Sequence, residues 1–145
     1  MSTEENKQLV LRWKEARNNG DVNVVDEFCA PECVLHISGL PTPGPVRGRG
    51  PFKQLLAAYL AAFDFTSMPE FLVGEGDMVA VREITRLRHK GEFQGIPPTG
   101  KEVSIPTNEI YRIADGKFAE QWVEADMLGL MQQLGILPTP GHGGS

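Results

Sequence analysis

The segment that most constrains this chain runs from Gly91 to Gly135. It opens on a turn-rich stretch, Gly91-Glu-Phe-Gln-Gly-Ile-Pro-Pro-Thr-Gly-Lys101, breaks again at Asp115-Gly-Lys117, and closes on Leu128-Gly-Leu-Met-Gln-Gln-Leu-Gly135. Between the breaks, residues 102–114 and 118–125 read as strands, and residues 127–134 as a short helix that Asp126 can cap. Asp-Gly between two strands is a strong hairpin signal, because a two-residue hairpin turn needs positive φ at both positions. Two long strands joined this way twist and coil, which predicts a long, strongly curved antiparallel sheet.

Upstream, Ser2-Thr-Glu-Glu5 can form a capping box, and Leu9, Val10, Trp13 and Ala16 give a helical stripe ending near Asn19. Asn18-Asn-Gly20 stops that helix, Asp21 can cap a shorter one over residues 22–28, and residues 33–37 read as a short strand. Residues 39–51, with Pro41, Pro43 and Pro45 before Gly48 and Gly50, read as a loop. Then Phe52, Leu55, Leu56, Tyr59, Leu60 and Phe63 recur at helical spacing on one apolar face. Residues 70–73 and 78–90 are the remaining strand candidates. The expected fold is α+β: a curved antiparallel sheet wrapped around three N-terminal helices, closed by a short C-terminal helix. Such a cone has an open mouth and an apolar interior suited to a small molecule.

At 145 residues, 41% hydrophobic and 23% charged, the chain can bury a core without disulfides or metal. We expect one domain over residues 1–137, with a Pro/Gly-rich tail, 138–145, read as disordered and compatible with an appended segment. The net charge of −5 with scattered Lys and Arg argues against a nucleic-acid partner. The longest apolar run, within 55–63, is too short to span a bilayer, and Met1-Ser-Thr-Glu-Glu is too acidic for a secretory signal, so a cytoplasmic protein without membrane contact is expected. Cys29, Cys33 and His36 fit no standard zinc spacing, and no metal or other cofactor is expected. The two cysteines read as reduced, partly buried thiols, which a disulfide can join only where the backbone between them bends.

Several segments together carry a family likeness: Asn19-Gly-Asp21, Ala30-Pro-Glu-Cys-Val-Leu-His36, the turn segment 91–101, Ile113-Ala-Asp-Gly-Lys117, Glu120-Gln-Trp122 and residues 126–135. In these the chain resembles the SnoaL-like polyketide cyclases, or ester cyclases, of the NTF2-like superfamily, over roughly residues 5–136. The resemblance implies a cofactor-free enzyme that closes a polyketide ring by intramolecular aldol condensation, and a homodimer formed through the outer sheet face. It also implies an acid–base aspartate on the last strand and an assisting histidine on the strand before. Registered on Asp115-Gly-Lys117, this chain has Val123 at the aspartate position and Glu109 at the histidine position.

Alternation supplies an independent reading of the site. If Val123 faces the cavity, so does Gln121, and Glu109 brings Tyr111 and Thr107 with it. A glutamate in an apolar cone is costly to ionise, so its proton affinity should rise toward neutrality, as suits a base for C–H abstraction beside a carbonyl. Ketosteroid isomerase, a relative by fold, uses a carboxylate in this way. The plainer alternative pairs Glu109 with Arg82, Arg86 or Arg112. His36 is a candidate donor to a substrate carbonyl, or else a half-buried histidine bonded to a carboxylate. Asp126 is a candidate base at the rim, although capping is its commoner use. Tyr59, Tyr111, Gln121, Trp122 and Val123 complete the expected ligand-binding set. Arg82, Arg86 and Arg88 share one strand face, expected to turn outward because an unpaired buried arginine is costly, while Glu83 and His89 share the other. No nucleophile elbow, Walker loop or dinucleotide fingerprint is present. Three functions stay open: a cofactor-free enzyme acting on a hydrophobic carbonyl compound by cyclisation, isomerisation or hydration, a non-catalytic binding module for an apolar ligand, and an interaction module that dimerises through its outer sheet face.

Overall fold

Asp115 and Gly116 form the two-residue turn that the sequence predicts, with φ of 52° and 72°. The turn joins β5 (Glu102–Ala114) to β6 (Lys117–Ala125) in antiparallel register. The computed structural model describes residues 1–40 and 43–137; the expectation for the tail, and the Pro41-Thr42 step of the rim loop, lie outside the described residues. In chain order come α1 (Thr3–Asn18), α2 (Val24–Phe28), β1 (Cys29–Ile37), β2 (Val46–Arg47), α3 (Arg49–Ala62), β3 (Phe63–Glu75), β4 (Met78–His89), β5, β6 and α4 (Met127–Gln133). Ser2 caps α1 through the expected box, its Oγ accepting from the Glu5 N–H at 3.1 Å while its own N–H donates to Glu5 Oε1 at 3.0 Å.

The six strands form one curved sheet in the order β2-β1-β6-β5-β4-β3. The sheet is mixed, not wholly antiparallel: β1 runs parallel to β6. A parallel neighbour needs a long crossover, which here is the whole stretch from β2 to β5, so no local signal in the sequence announces it. β1 also starts earlier than expected, at Cys29 directly after α2. α2 itself starts two residues later than Val22, with Asn23 at its cap and no side-chain capping bond. β3 is thirteen residues long where the sequence suggested four, and it begins at Phe63, whose N–H closes the last turn of α3. Its Pro69 sits beside a bulge on this edge strand, where a missing N–H does no harm.

The helices cover the concave face. Trp13 of α1 is fully buried and meets Phe28, Phe52 and Phe118 edge-on, with ring centroids 5.7, 6.0 and 5.8 Å away. A second cluster of Phe63, Leu87, Phe93, Ile105, Leu130 and Leu134 packs where α4 meets the sheet. No helix of the described residues is long and apolar enough to cross a membrane.

Candidate active site

Between the helices and the sheet lies a partly open cavity of about 140 Å³. Strand alternation sets its chemistry, because every second residue of β4, β5 and β6 points into it. Glu83, Thr85 and Leu87 come from β4, Ile105, Thr107 and Glu109 from β5, and Gln121, Val123 and Ala125 from β6. α3 adds Phe52, Leu55, Leu56 and Tyr59, and β1 adds Leu35 and Ile37. The wall is therefore mostly apolar, with the polar groups gathered where α1 crosses β4 and β5.

That polar group is a dry ionic cluster. Lys14 of α1, 2% exposed, reaches Glu83 at 2.5 Å and also bonds Glu109; the two carboxylates are 1% and 3% exposed. Arg17, one turn further on, lies 3.8 Å from Glu83 and 3.9 Å from Glu109. Two carboxyl groups thus face two basic side chains, and Tyr111 donates its hydroxyl to Glu109 Oε1 at 2.6 Å. Such matching is required, since an isolated buried charge costs several kcal/mol, or about that order. Burial drives the Lys14 ammonium well below the usual lysine range, Arg17 pushes the same way, and Glu83 opposes both. Burial also raises the Glu83 carboxyl, but Lys14 and Arg17 outweigh it and leave Glu83 below the ordinary carboxylate value. Glu83 is therefore ionised at neutral pH. Thr85 and Thr107 share a hydroxyl hydrogen bond of 2.9 Å beside it.

Second contacts hold this cluster in place. Arg17 bonds the Ser67 hydroxyl, and its guanidinium lies 5.4 Å from the centre of the Phe65 ring. Asn18 clamps the Ser67 backbone from both sides, at 3.0 and 3.2 Å. At the mouth, residues 90–101 are pinned by Gly91 N–H to Ala62 O (3.1 Å), and by His89 Nδ1, which accepts from the Thr99 N–H (3.2 Å) and lies 3.1 Å from its hydroxyl. Only glycine fits at 91, because a Cβ there would sit 2.3 Å from the Ala61 carbonyl oxygen. Gln94 reaches across the mouth to Gly39 O at 3.0 Å.

The residues expected from sequence divide sharply. Glu109, Gln121, Val123 and Tyr59 all line the cavity. Glu109 is not the lone carboxylate that the apolar-cone argument assumed, and it does not pair with Arg82, Arg86 or Arg112: its partners are Lys14 and Arg17. Tyr111 is fully buried behind the cavity wall, where it holds Glu109 and packs on Phe118 at 4.7 Å. It is not among the residues lining the cavity, and burial pushes its phenol upward. Burial also raises the Tyr59 phenol.

His36 and Trp122 lie away from the cavity. They are register partners on β1 and β6 and turn to the outer face, ring on ring at 5.3 Å and 8°. There His36 Nε2 meets Glu120 Oε2 at 2.6 Å. The reason is alternation: Leu35 and Ile37 point inward, so His36 cannot. Asp126 is exposed and caps α4, its Oδ1 accepting from the Gly129 N–H at 2.9 Å, and it does not line the cavity. The arginine face of β4 turns outward, with Arg82 and Arg88 on Glu70 and Asp64. Among the described residues, no group of three or more His, Cys, Asp or Glu side chains is placed to hold a metal ion.

The sequence alone assigns no role to Lys14, Arg17 or Glu83. The usable signal was Glu83 on a strand face otherwise apolar at Val79, Val81 and Leu87: a carboxylate there demands a buried cation. Lys14 and Arg17, flanking the Trp13 stripe, were the candidates closest to hand.

A curved sheet over three helices, enclosing an apolar cavity with a buried acid–base cluster, defines an NTF2-like α+β cone. The sequence model of the SnoaL-like polyketide cyclase family matches residues 7–134, and the chain belongs to that family. Aklanonic acid methyl ester cyclase DnrD of Streptomyces peucetius is 34% identical over 135 residues, spanning 91% of this chain and 92% of that protein. Aklanonic acid methyl ester cyclase DauD of Streptomyces sp. strain C5 is 33% identical over 135 residues, spanning 91% and 83%. The structure of TsrD from Streptomyces laurentii superposes with a TM-score of 0.81 at 31% identity, covering 94% of this chain and 99% of that one.

Proposed function

We propose that this chain is a cofactor-independent cyclase acting on a hydrophobic, polyketide-like carbonyl compound, with Glu109 as its acid–base group. One observation carries the reading. Glu109 is the direct cross-strand partner of Val123, the position at which the resemblance sets the family's aspartate. Residues paired across antiparallel strands stand only about 4.5–5.5 Å apart at Cβ, so a carboxylate on β5 serves nearly the same point of the cavity as one on β6.

The chemistry follows from the cluster. The Glu109 carboxylate, matched by Lys14, takes a proton from a carbon next to a carbonyl. Arg17, the one cation of the cluster on the cavity wall, stands close to where the enolate oxygen develops. The enolate carbon then attacks a second carbonyl of the same chain, and the resulting alkoxide recovers the proton from Glu109. No hydride or electron transfer is needed. Tyr59 and Gln121 contact the substrate body, while His36, Trp122 and Asp126 take no part. Expected rate loss on replacing a positioned general base is about 10²–10⁴-fold.

The test uses aklanonic acid methyl ester, the compound named for two relatives, as first probe. Cyclised product from wild type and its loss in Glu109→Gln support the reading; turnover undiminished in Glu109→Gln overturns the role of Glu109. Binding of the probe with no product from either protein would favour a ligand-binding function.

The same reading includes a cytoplasmic homodimer paired through the outer sheet face. Support comes from an outward row that crosses the sheet in register, Val73–Ala80–Ile110–Trp122–His36, with Val73 and Ile110 exposed. Sedimentation should find a dimer for wild type and a monomer for Ile110→Asp. A wild-type monomer at high concentration would refute the pairing.

A further inference from the structure

Cys29 and Cys33 are both free and both buried, and strand register draws them together. Cys29 stands opposite Phe118 and Val34 opposite Glu120, so the stretch from Cys29 to Val34 bulges over the length of only two steps of β6. At about 3.3 Å per strand residue, the ends of that bulge are held roughly 7 Å apart, and Cys33 is the residue just before its far end. Disulfides form across Cα separations of about 4.4–6.8 Å. The bulge of β1 therefore brings the two cysteines near the span that such a bridge requires.

The start of α3 fixes this arrangement. Gly48 N–H donates to the Cys33 carbonyl at 2.7 Å, and Arg49 donates to the Cys29 carbonyl through Nε at 2.9 Å and Nη2 at 2.6 Å. The two thiols perturb each other and divide their proton affinity unequally. The neighbouring Cys29 thiol, helped by the Arg49 charge, outweighs burial and brings Cys33 down to about 7. The Cys33 thiol, with burial, pushes Cys29 up. Cys33 is the nucleophile and Cys29 the thiol that resolves it.

We propose that Cys29 and Cys33 form a peroxide-reactive dithiol that closes to an intramolecular disulfide, a modification site separate from the acid–base cluster. The Cys33 thiolate attacks one oxygen of hydrogen peroxide, the O–O bond breaks, and the hydroxide released takes up the thiol proton as water. Cys33 is left as a sulfenic acid. Cys29 then attacks that sulfur, the S–O bond breaks, and a second water leaves with the Cys29 proton. The two thiols supply the two electrons that reduce the peroxide. Although both sulfurs are buried, Pro31 and Glu32 between them are exposed, so a small shift of the bulge admits an oxidant the size of water.

The bridge communicates with the cavity through one side chain. Gln121 lines the cavity and donates its Nε2–H to Cys29 Sγ at 3.6 Å. Closing the disulfide re-aims that sulfur, so the Gln121 amide must turn.

Folded full-length protein is exposed to hydrogen peroxide, blocked with a maleimide, and cleaved after Glu32, which parts the two cysteines. We expect the two peptides to remain joined, to separate with dithiothreitol, and to carry no maleimide. Cys29→Ser should stall at a Cys33 sulfenic acid trapped by dimedone, and Cys33→Ser should react about tenfold more slowly or less. Full maleimide labelling of both cysteines, or Cys33 sulfinic acid beside a free Cys29, would overturn the proposal. The wild-type peptide map decides the matter alone if either serine variant fails to fold.

Discussion

Two ionic clusters on opposite faces of one sheet behave differently because one is dry. On the concave face, Lys14, Glu83 and Glu109 are almost fully buried. On the convex face, His36 is 37% exposed and Glu120 24%, with Arg112 3.3 Å from Glu120. Both clusters join carboxylates to cations at hydrogen-bond distance. In water such pairs are worth little, about 0–1 kcal/mol. Without water, removing one partner strands the other, and the local proton affinities become those of the whole cluster. Proximity of charged groups is thus a poor guide to function unless solvent is counted. His36 and Glu109 are both candidates on sequence grounds, and of the two only Glu109 lines the cavity.

The largest break in this comparison should come from Lys14→Met. It leaves two buried carboxylates facing Arg17 alone, and we expect a stability loss of about 3–5 kcal/mol in urea unfolding at neutral pH. Adding Glu83→Gln and Glu109→Gln should restore most of it. A loss under about 1 kcal/mol for Lys14→Met would place the inner cluster in the same class as the outer one.

Next in size is the acid limb of stability. The folded-state value of Glu83 lies below its ordinary 4.5. As pH falls below that ordinary value, the unfolded chain takes up the proton while the folded chain does not. The stabilisation is complete above pH 4.5 and is lost as pH falls through the lowered folded value. Glu83→Gln should flatten that part of the stability–pH curve, measured by urea midpoints from pH 6 downward, or about that range. An unchanged slope would mean that Glu83 is not held by Lys14 and Arg17.

The smallest effect belongs to the outer face. His36→Ala should change stability by no more than about 1 kcal/mol and leave turnover of a carbonyl substrate within about twofold. A large loss of turnover would return His36 to the site and contradict its outward placement.

How much of this was legible in the sequence varies with the range of the signal. The stripe from Phe52 to Phe63 and the Asp115-Gly116 turn are local, and the β5–β6 hairpin follows its turn closely, while α3 starts at Arg49 within the expected loop and ends at Ala62, Phe63 opening β3. Alternation along β5 puts Glu109 on one face with Thr107 and Tyr111, a pattern only two residues long, but which face turns inward rests on the register of the resemblance. The parallel pairing of β1 and β6 is not local, since His36 and Trp122 meet across most of the chain. The same holds for the cluster: Lys14 meets Glu83 and Glu109 across a wide separation, and helix periodicity cannot distinguish a lysine at the stripe's edge that is buried from one that is solvated. The face of His36 is not legible from a strand reading of residues 33–37 that leaves the inner face undecided, and the buried Leu35 decides it.

The central claim is that a carboxylate on β5 does the work of an aspartate on β6. Solvent deuterium exchange into a panel of 1,3-dicarbonyl and enone compounds tests it most directly, with wild type compared against Glu109→Gln and Glu83→Gln. The account predicts exchange in wild type and a loss of about 10²-fold or more in Glu109→Gln, with the compounds still bound. Exchange persisting at the wild-type rate in Glu109→Gln would contradict it.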